Sequence, residues 1–388
     1  MTTIAFVDDE RNILDGIRRS LRKYRKEWNL HFFETADAML ESMQSERFDA
    51  IISDMRMPKK NGLDLLTEAR TKSPETIRIV LSGYSEEEIV LESLHVTHSF
   101  IAKPANTETI VDCIEKTLRT REWLKNEELR HLLGSIDSLP TLPAIYDALM
   151  QELASPDCSM QNVANIVASD SALSSTALKI INSAFFGLAR HIESVQQAVN
   201  MLGIETIKNI ALVSSVFSSV KADKSIIAKM DSLNANSIKM GNLAQKLSKA
   251  SGLDKRGMDH TQIAAMMSQL GDLISVCYKA DLEKANAGDI EPALIGSYML
   301  SIWNLPFAII DAVRWHREPA SGGIPELHPL TIVHAAWGFI NCYKDTNAIN
   351  LQSDYLDREY LLGAVDQQTL DEWAAIALEY CGSSDGDD

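Results

Sequence analysis

Ala50-Ile51-Ile52-Ser53-Asp54-Met55-Arg56-Met57-Pro58 is a short apolar run that ends in one carboxylate. Such a run reads as a strand buried on both faces of a parallel sheet. Asp54 then falls at the strand's C-terminal end, where open α/β sheets place their chemistry. Asp54 is therefore the first candidate for a functional side chain.

The flanking sequence repeats the pattern. Ile4 to Val7 is a short apolar strand followed by Asp8-Asp9-Glu10, and Ile13, Leu14, Ile17 and Leu21 then recur at helical spacing. His31-Phe32-Phe33, Ile77 to Ser82 and Ser99 to Lys103 read as further strands, with helices expected at 36–43, 62–70 and 85–94. Alternating strands and helices predict a doubly wound α/β domain with a five-stranded parallel sheet. Asp8, Asp9, Asp54, Ser82 and Lys103 then all meet at one sheet edge. Three carboxylates crowded there call for a cation, and hard oxygen ligands suit Mg²⁺. Lys103 adds a fixed charge and Ser82 a hydroxyl donor, which is most of what phosphoryl transfer onto Asp54 requires. Taken singly, Asp8 and Asp9 could cap a helix and Lys103 could be a surface lysine; the five together carry the reading.

These residues lie in motifs that closely resemble the receiver domain of bacterial response regulators: Val7-Asp8-Asp9-Glu10, Asp54 to Gly62, Leu81-Ser82-Gly83-Tyr84 and Phe100-Ile101-Ala102-Lys103-Pro104. The resemblance covers residues 1–122 and implies a flavodoxin-like sheet. It implies phosphorylation of Asp54 by a sensor histidine kinase or phosphotransfer protein. It implies Mg²⁺ held by Asp8, Asp9, Asp54 and the backbone carbonyl of Arg56. Ser82 and Phe100 would be the switch pair, and the Lys103-Pro104 bond would be cis.

Between 106 and 134 no proline or glycine interrupts the chain until Gly134, so one long signalling helix is expected. Its partial apolar stripe offers a homodimer contact, although Arg121 and Lys125 break the heptad.

From about 135 strand-like runs give way to helical ones, at 144–153, 160–168, 172–182, 195–202 and 206–220, predicting an all-α domain. Ser138 to Pro143, Ile166 to Leu173, Lys179 to Gly187, Ile192 to Val195, Ala198 to Gly203, Trp303 to Pro306 and Ala312 to Pro319 are similar to the HDOD family, a branch of the HD phosphohydrolase-like fold. The domain is placed at 135–345, with a helical extension and tail at 346–388. Active HD enzymes hold a metal on histidines and aspartates. Here the corresponding positions are read as Asn236, Ser268, Gln269 and Pro292, poor ligands for a divalent metal, so no cofactor is expected in this half. His316 is read as a hydrogen-bonded core histidine and His260 as a helix cap.

The chain has 388 residues and a net charge of −17. An acidic surface repels nucleic acid phosphates, and the basic stretch 18–26 reads as an exposed helix face. No apolar run reaches membrane-spanning length. Five scattered cysteines without a CxxC pair argue for a reducing cytoplasm over a disulfide framework. The expectation is a response regulator whose phosphorylation controls a non-catalytic output that binds and regulates an unidentified partner protein, with an enzyme of a cyclic-di-GMP or kinase pathway as the candidate class. The rival readings are a residual metal-dependent cyclic-dinucleotide phosphodiesterase and a nucleotide-binding sensor.

Overall fold

The computed structural model describes residues 2–82, 96–103, 107–136, 143–155, 158–181, 192–203, 207, 224–303 and 305–384. The expected helices at 85–94 and 206–220 lie outside them or largely so, as do Pro104 and the motif residues 138–142 and 182–187.

The N-terminal half is a parallel sheet with helices on both faces. Its strands are β1 (Thr2–Val7), β2 (Trp28–Phe33), β3 (Ala50–Asp54), β4 (Ile77–Ser82) and β5 (Ser99–Ala102), in the order β2-β1-β3-β4-β5. Ile4 pairs with Ala50 and Val7 with Ser53, while Asp54 pairs with Leu81. Every residue of β3 is buried, because helices cover both faces. Side chains alternate between two cores. Ile4, Phe6, Ile52, Ile79 and Leu81 share one face with Leu14 of α1 (Arg11–Ser20) and with Ile110 and Ile114 of α4 (Thr107–Trp123). Ala5, Val7, Ile51 and Val80 share the other with residues of α2 (Ala36–Ser42) and α3 (Gly62–Lys72).

The chain leaves β1 toward β2 and returns to the far side of β1 for β3. The order of the sheet therefore reverses between β1 and β3, and a crevice opens beyond their C-terminal ends. Asp8, Asp9 and Asp54 sit there. The basic stretch 18–26 does not form one helix face: α1 stops at Ser20, and Leu21–Lys26 is a 3-10 turn pinned by buried Leu21.

The expected single connecting helix is two helices. α4 ends at Trp123, and α5 (Glu127–Ser135) starts afresh, because the Asn126 side chain accepts from Leu129 N at 2.9 Å and caps it. Leu124, Leu129 and Leu133 are at most 1 % exposed inside this chain, so they are not available as a dimer stripe.

The described remainder is helical: α6 (Pro143–Ala154), α7 (Met160–Ala168), α8 (Ser171–Ile181), α9 (195–203), α10 (Lys224–Ala250), α11 (Lys255–Met267), α12 (Leu270–Cys277), α13 (Lys279–Lys284), α14 (Pro292–Ile302), α15 (Phe307–Trp315), α16 (Pro329–Thr346), α17 (Arg358–Ala364) and α18 (Gln367–Ser384). α14 is apolar almost all round and buried from Ile295 to Ile302, as a central helix must be. α18 seals the bundle with Leu370 and Trp373, both fully buried.

Candidate phosphoacceptor site

The crevice between β1 and β3 is assembled by strand ends. Asp8 is 1 % exposed and Asp54 8 %, so both carboxylates are drawn out of water and need partners. Asp8 Oδ1 accepts from Glu10 N at 2.9 Å; Glu10, not an aspartate, stands at the N-cap of α1. The Lys103 ammonium, following β5, bridges the two acids, 2.9 Å from Asp8 Oδ2 and 2.5 Å from Asp54 Oδ1. Asp54 Oδ2 accepts from Arg56 N at 3.2 Å. Exposed Asp9 completes the group: ligand oxygens of Asp8, Asp9 and Asp54 all lie within 4.8 Å of one another.

Burial pushes the Asp54 carboxyl above the usual range, with Asp8 adding to the push and Lys103 opposing it. Burial alone would lower Lys103, but its hydrogen bonds to Asp54 and Asp8 outweigh that and hold the ammonium above its ordinary range. Three carboxylates against one ammonium leave two formal negative charges on hard oxygen donors. That donor set and its spacing fit a divalent cation of the Mg²⁺ type.

The loop that follows Asp54 is drawn tight. Gly62 N donates to Met55 O at 2.9 Å, and a Cβ on Gly62 would lie 2.2 Å from the Asp54 carbonyl oxygen. Only glycine lets the first residue of α3 rest on the backbone of the acceptor. Ser82 ends β4 opposite Ala102, and Phe100 pairs with Val80, so both are at the registers expected of them; their side chains lie outside the described residues.

Of the four sequence-derived positions in the helical half, Asn236 lies apart from the rest. Ser268 and Gln269 join α11 to α12, and Gln269 lines a cavity of about 10 Å³ with Asp170, Ser171, Asn234 and Ser237. Asn236 faces away, into a different cavity with Lys239, Tyr343 and Tyr380. Pro292 opens α14, and its carbonyl packs against Gly271. The α10 residues that do reach the Gln269 cavity include Ser237 and Asn234, the latter's amide donating to Ser169 O and accepting from Ser171 N. The sequence carried that signal: Met230, Leu233, Asn234 and Ser237 fall on one helical stripe, and Asn236 does not. A cavity of this size holds one water at most.

The histidines have structural surroundings. His316 is fully buried. Its Nδ1 lies 2.8 Å from Val313 O, which can only accept, so the proton sits on Nδ1, and Nε2 has no partner among the described residues. Burial, with Arg317 beside it, lowers its pKa to about 3. His334 donates from Nδ1 to His316 O at 2.7 Å and accepts at Nε2 from Asp357 N at 2.9 Å. His260 does not cap a helix. It lies inside α11, which Asp254 caps, with Nε2 2.8 Å from buried Glu193.

Comparison with known proteins follows the same division. The family model of the response regulator receiver domain matches residues 4–115, and that of the HDOD domain matches 139–319. The hydrogenase transcriptional regulatory protein HoxA of Cupriavidus necator is 28% identical over 121 residues, which is 31% of this chain and 24% of that protein. Its namesake from Bradyrhizobium diazoefficiens is 30% identical over 128 residues, 32% and 26% of the two chains. This chain thus spans about a quarter of the length of these curated relatives. The crystal structure of the MmoQ response regulator from Methylococcus capsulatus aligns with 62% of this chain and 98% of its own, at 18% identity and a TM-score of 0.45. Among the described residues no helix is long and apolar enough to cross a membrane.

Proposed function

We propose that this chain, in which a response regulator receiver domain is followed by an HDOD domain, takes a phosphoryl group on Asp54 and uses it to control a non-catalytic helical output. The observation that carries the reading is the Lys103 ammonium bridging the buried carboxylates of Asp8 and Asp54 beside exposed Asp9. The donor is a sensor histidine kinase or a phosphotransfer protein. An Asp54 oxygen attacks phosphorus, the bond from phosphorus to the donor atom breaks, and its electron pair leaves with the donor. The acyl phosphate stays on Asp54. Lys103 is already within reach of Asp54 and stabilises the charge on the transferring group. A Mg²⁺ held by Asp8, Asp9, Asp54 and the Arg56 carbonyl would supply the remaining neutralisation. The Ser82 hydroxyl and the Phe100 ring are proposed to report the new charge to the sheet. The receiver then moves between two pre-existing states.

The helical domain is proposed to act by binding a protein. Water-sized space at Gln269, amide and hydroxyl side chains with the single carboxylate of Asp170 around it, and His316 and His334 tied to backbone groups support this over hydrolysis. Intact-mass analysis after incubation with acetyl phosphate and Mg²⁺ tests the first half. The wild type gains one phosphoryl group and Asp54→Asn gains none; labelling of Asp54→Asn would move the acceptor elsewhere. Stoichiometric transition metal in the purified protein, with turnover of a cyclic dinucleotide, would overturn the second half.

A further inference from the structure

Among the described residues, the receiver side and the helical side share the buried Leu124, Leu129 and Leu133, and α4 packs along α14; two further contacts differ in character. At the first, Arg78 reaches out of β4 while only 1 % exposed. Its guanidinium donates to the carbonyls of Val96, Pro74, Thr76 and Gly134 at 2.6, 2.7, 2.9 and 2.8 Å, with His98 Nε2 2.9 Å away. Gly134 belongs to α5, and Arg70 adds a bond to Ser135 O at 3.1 Å. A fully buried, fully bonded arginine makes α5 part of the receiver.

The second seam is aromatic and half-open. Phe307 and Trp315, eight residues apart on α15, come round to one side of the helix. Arg314 lies 3.9 Å from the Trp315 ring centroid and is held in place by Glu291 at 2.7 Å. Trp123 at the end of α4 sits against both rings, with centroids 6.3 Å from Phe307 and 6.0 Å from Trp315. All three rings are only half-buried. Asn126 supplements them, donating from Nδ2 to Ala285 O at 3.0 Å while its Oδ1 caps α5. The buried clasp ties α5 to the receiver, and of the contacts between connector and helical domain the aromatic one is less buried than the leucines beside it, so it is the one placed to yield first. The opposite face of α4 packs under the sheet through Ile110 and Ile114, and Cys113 Sγ lies 3.6 Å from Ser99 Oγ of β5, the strand that leads to Lys103.

We propose that the α15 face around Phe307 and Trp315 is the output surface of the helical domain. In this state the chain's own connector covers it. Its protein partner presents an amphipathic helix with an aromatic anchor, taking the place that Trp123 occupies here. The proposal rests on the reading of Asp54 as a regulatory phosphoacceptor, and the test separates the two.

The probe is a fluorescein-labelled peptide of residues 118–134 of this chain, titrated into the full-length protein and followed by anisotropy. Trp123→Ala should bind it at least tenfold more tightly than the wild type. Asn126→Asp keeps an acceptor for the cap but loses the donor to Ala285, and should move binding the same way without touching an aromatic ring. Wild type treated with beryllofluoride and Mg²⁺ should follow, and adding Trp315→Ala to either variant should abolish the gain. Tight binding by both variants with no response to beryllofluoride supports the surface and overturns its control by Asp54. Affinities equal to wild type in both correctly folded variants, or gains that survive Trp315→Ala, overturn the surface itself.

Discussion

Lys103 is the residue on which two buried acids depend. Without it, Asp8 and Asp54 face each other with no cation between them, in a setting where burial already penalises the Asp54 charge. Lys103→Met should slow labelling of Asp54 by acetyl phosphate on the order of a hundredfold, as expected when one preorganised charge donor is lost. The same variant should bind Mg²⁺ more tightly, since a competing positive charge is gone. Unchanged labelling kinetics in a folded protein would remove Lys103 from the chemistry. His316 gives a second prediction. Its folded pKa of about 3 lies far below the ordinary value of 6.5, so between those limits the unfolded chain binds the proton and the folded chain does not. Stability is therefore full above pH 6.5 and falls on acidification, by up to about 1.4 kcal/mol per pH unit from this group alone. Urea midpoints measured from pH 7.5 down to 4.5 should fall more steeply in the wild type than in His316→Gln; parallel slopes would contradict it. The acids and Lys103 were legible in the sequence because each ends a strand, and a parallel sheet gathers strand ends. The resemblance to active HD enzymes points to the helix around Asn236 without fixing which of its sides turns inward; the stripe through Met230, Asn234 and Ser237 marks that side of α10.

At the scale of elements, the connector departs most from its sequence. A stretch without proline or glycine up to Gly134 reads as one helix, yet it breaks at 124–126. The mark is Asn126-Glu127-Glu128, a cap followed by two first-turn acids, which competes for backbone donors more quietly than glycine or proline would. Arg78 was also visible, as a lone charge between Ile77 and Ile79 in a strand buried on both faces. What the sequence did not reveal was its partners, since loop carbonyls carry no residue-type signature. Arg78→Met should leave four carbonyls short of a donor and cost at least about 3 kcal/mol in chemical unfolding. Gly134→Ala tests the same clasp from the other side. A Cβ there would lie 2.2 Å from the Pro74 carbonyl oxygen, a backbone atom that cannot swing away, so α5 must lift. That should cost roughly 1–3 kcal/mol and raise amide exchange across 127–135 while leaving 255–267 unchanged. Wild-type protection of 127–135 in both variants would mean the clasp does not hold the helix.

For the whole molecule, the α/β and all-α classes follow from hydrophobic pattern, short continuous apolar runs alternating with helices in the first part and helical spacing beyond about 135. The way the two halves join does not. One apolar cluster runs from Ile51 and Leu65 under the sheet through Leu124, Leu129 and Leu133 into the helical core at Ile263 and Phe339. Leucines that look like a dimer stripe in sequence are spent inside the chain, because a partial stripe does not say which surface it meets. A cut at the expected boundary near 135 therefore removes side chains that belong to both halves. A fragment of residues 123–384 keeps Trp123 on Phe307 and Trp315, and Asn126 on Ala285; a fragment of residues 137–384 keeps neither. Burying even one large apolar side chain is worth about 1.5–3 kcal/mol, so the longer fragment should be more stable by at least about 2 kcal/mol. Its Trp123 fluorescence should also be less accessible to acrylamide than in a peptide of residues 118–134. Equal urea midpoints for the two fragments would show that the connector belongs to the receiver alone, with the aromatic seam contributing nothing to the helical domain.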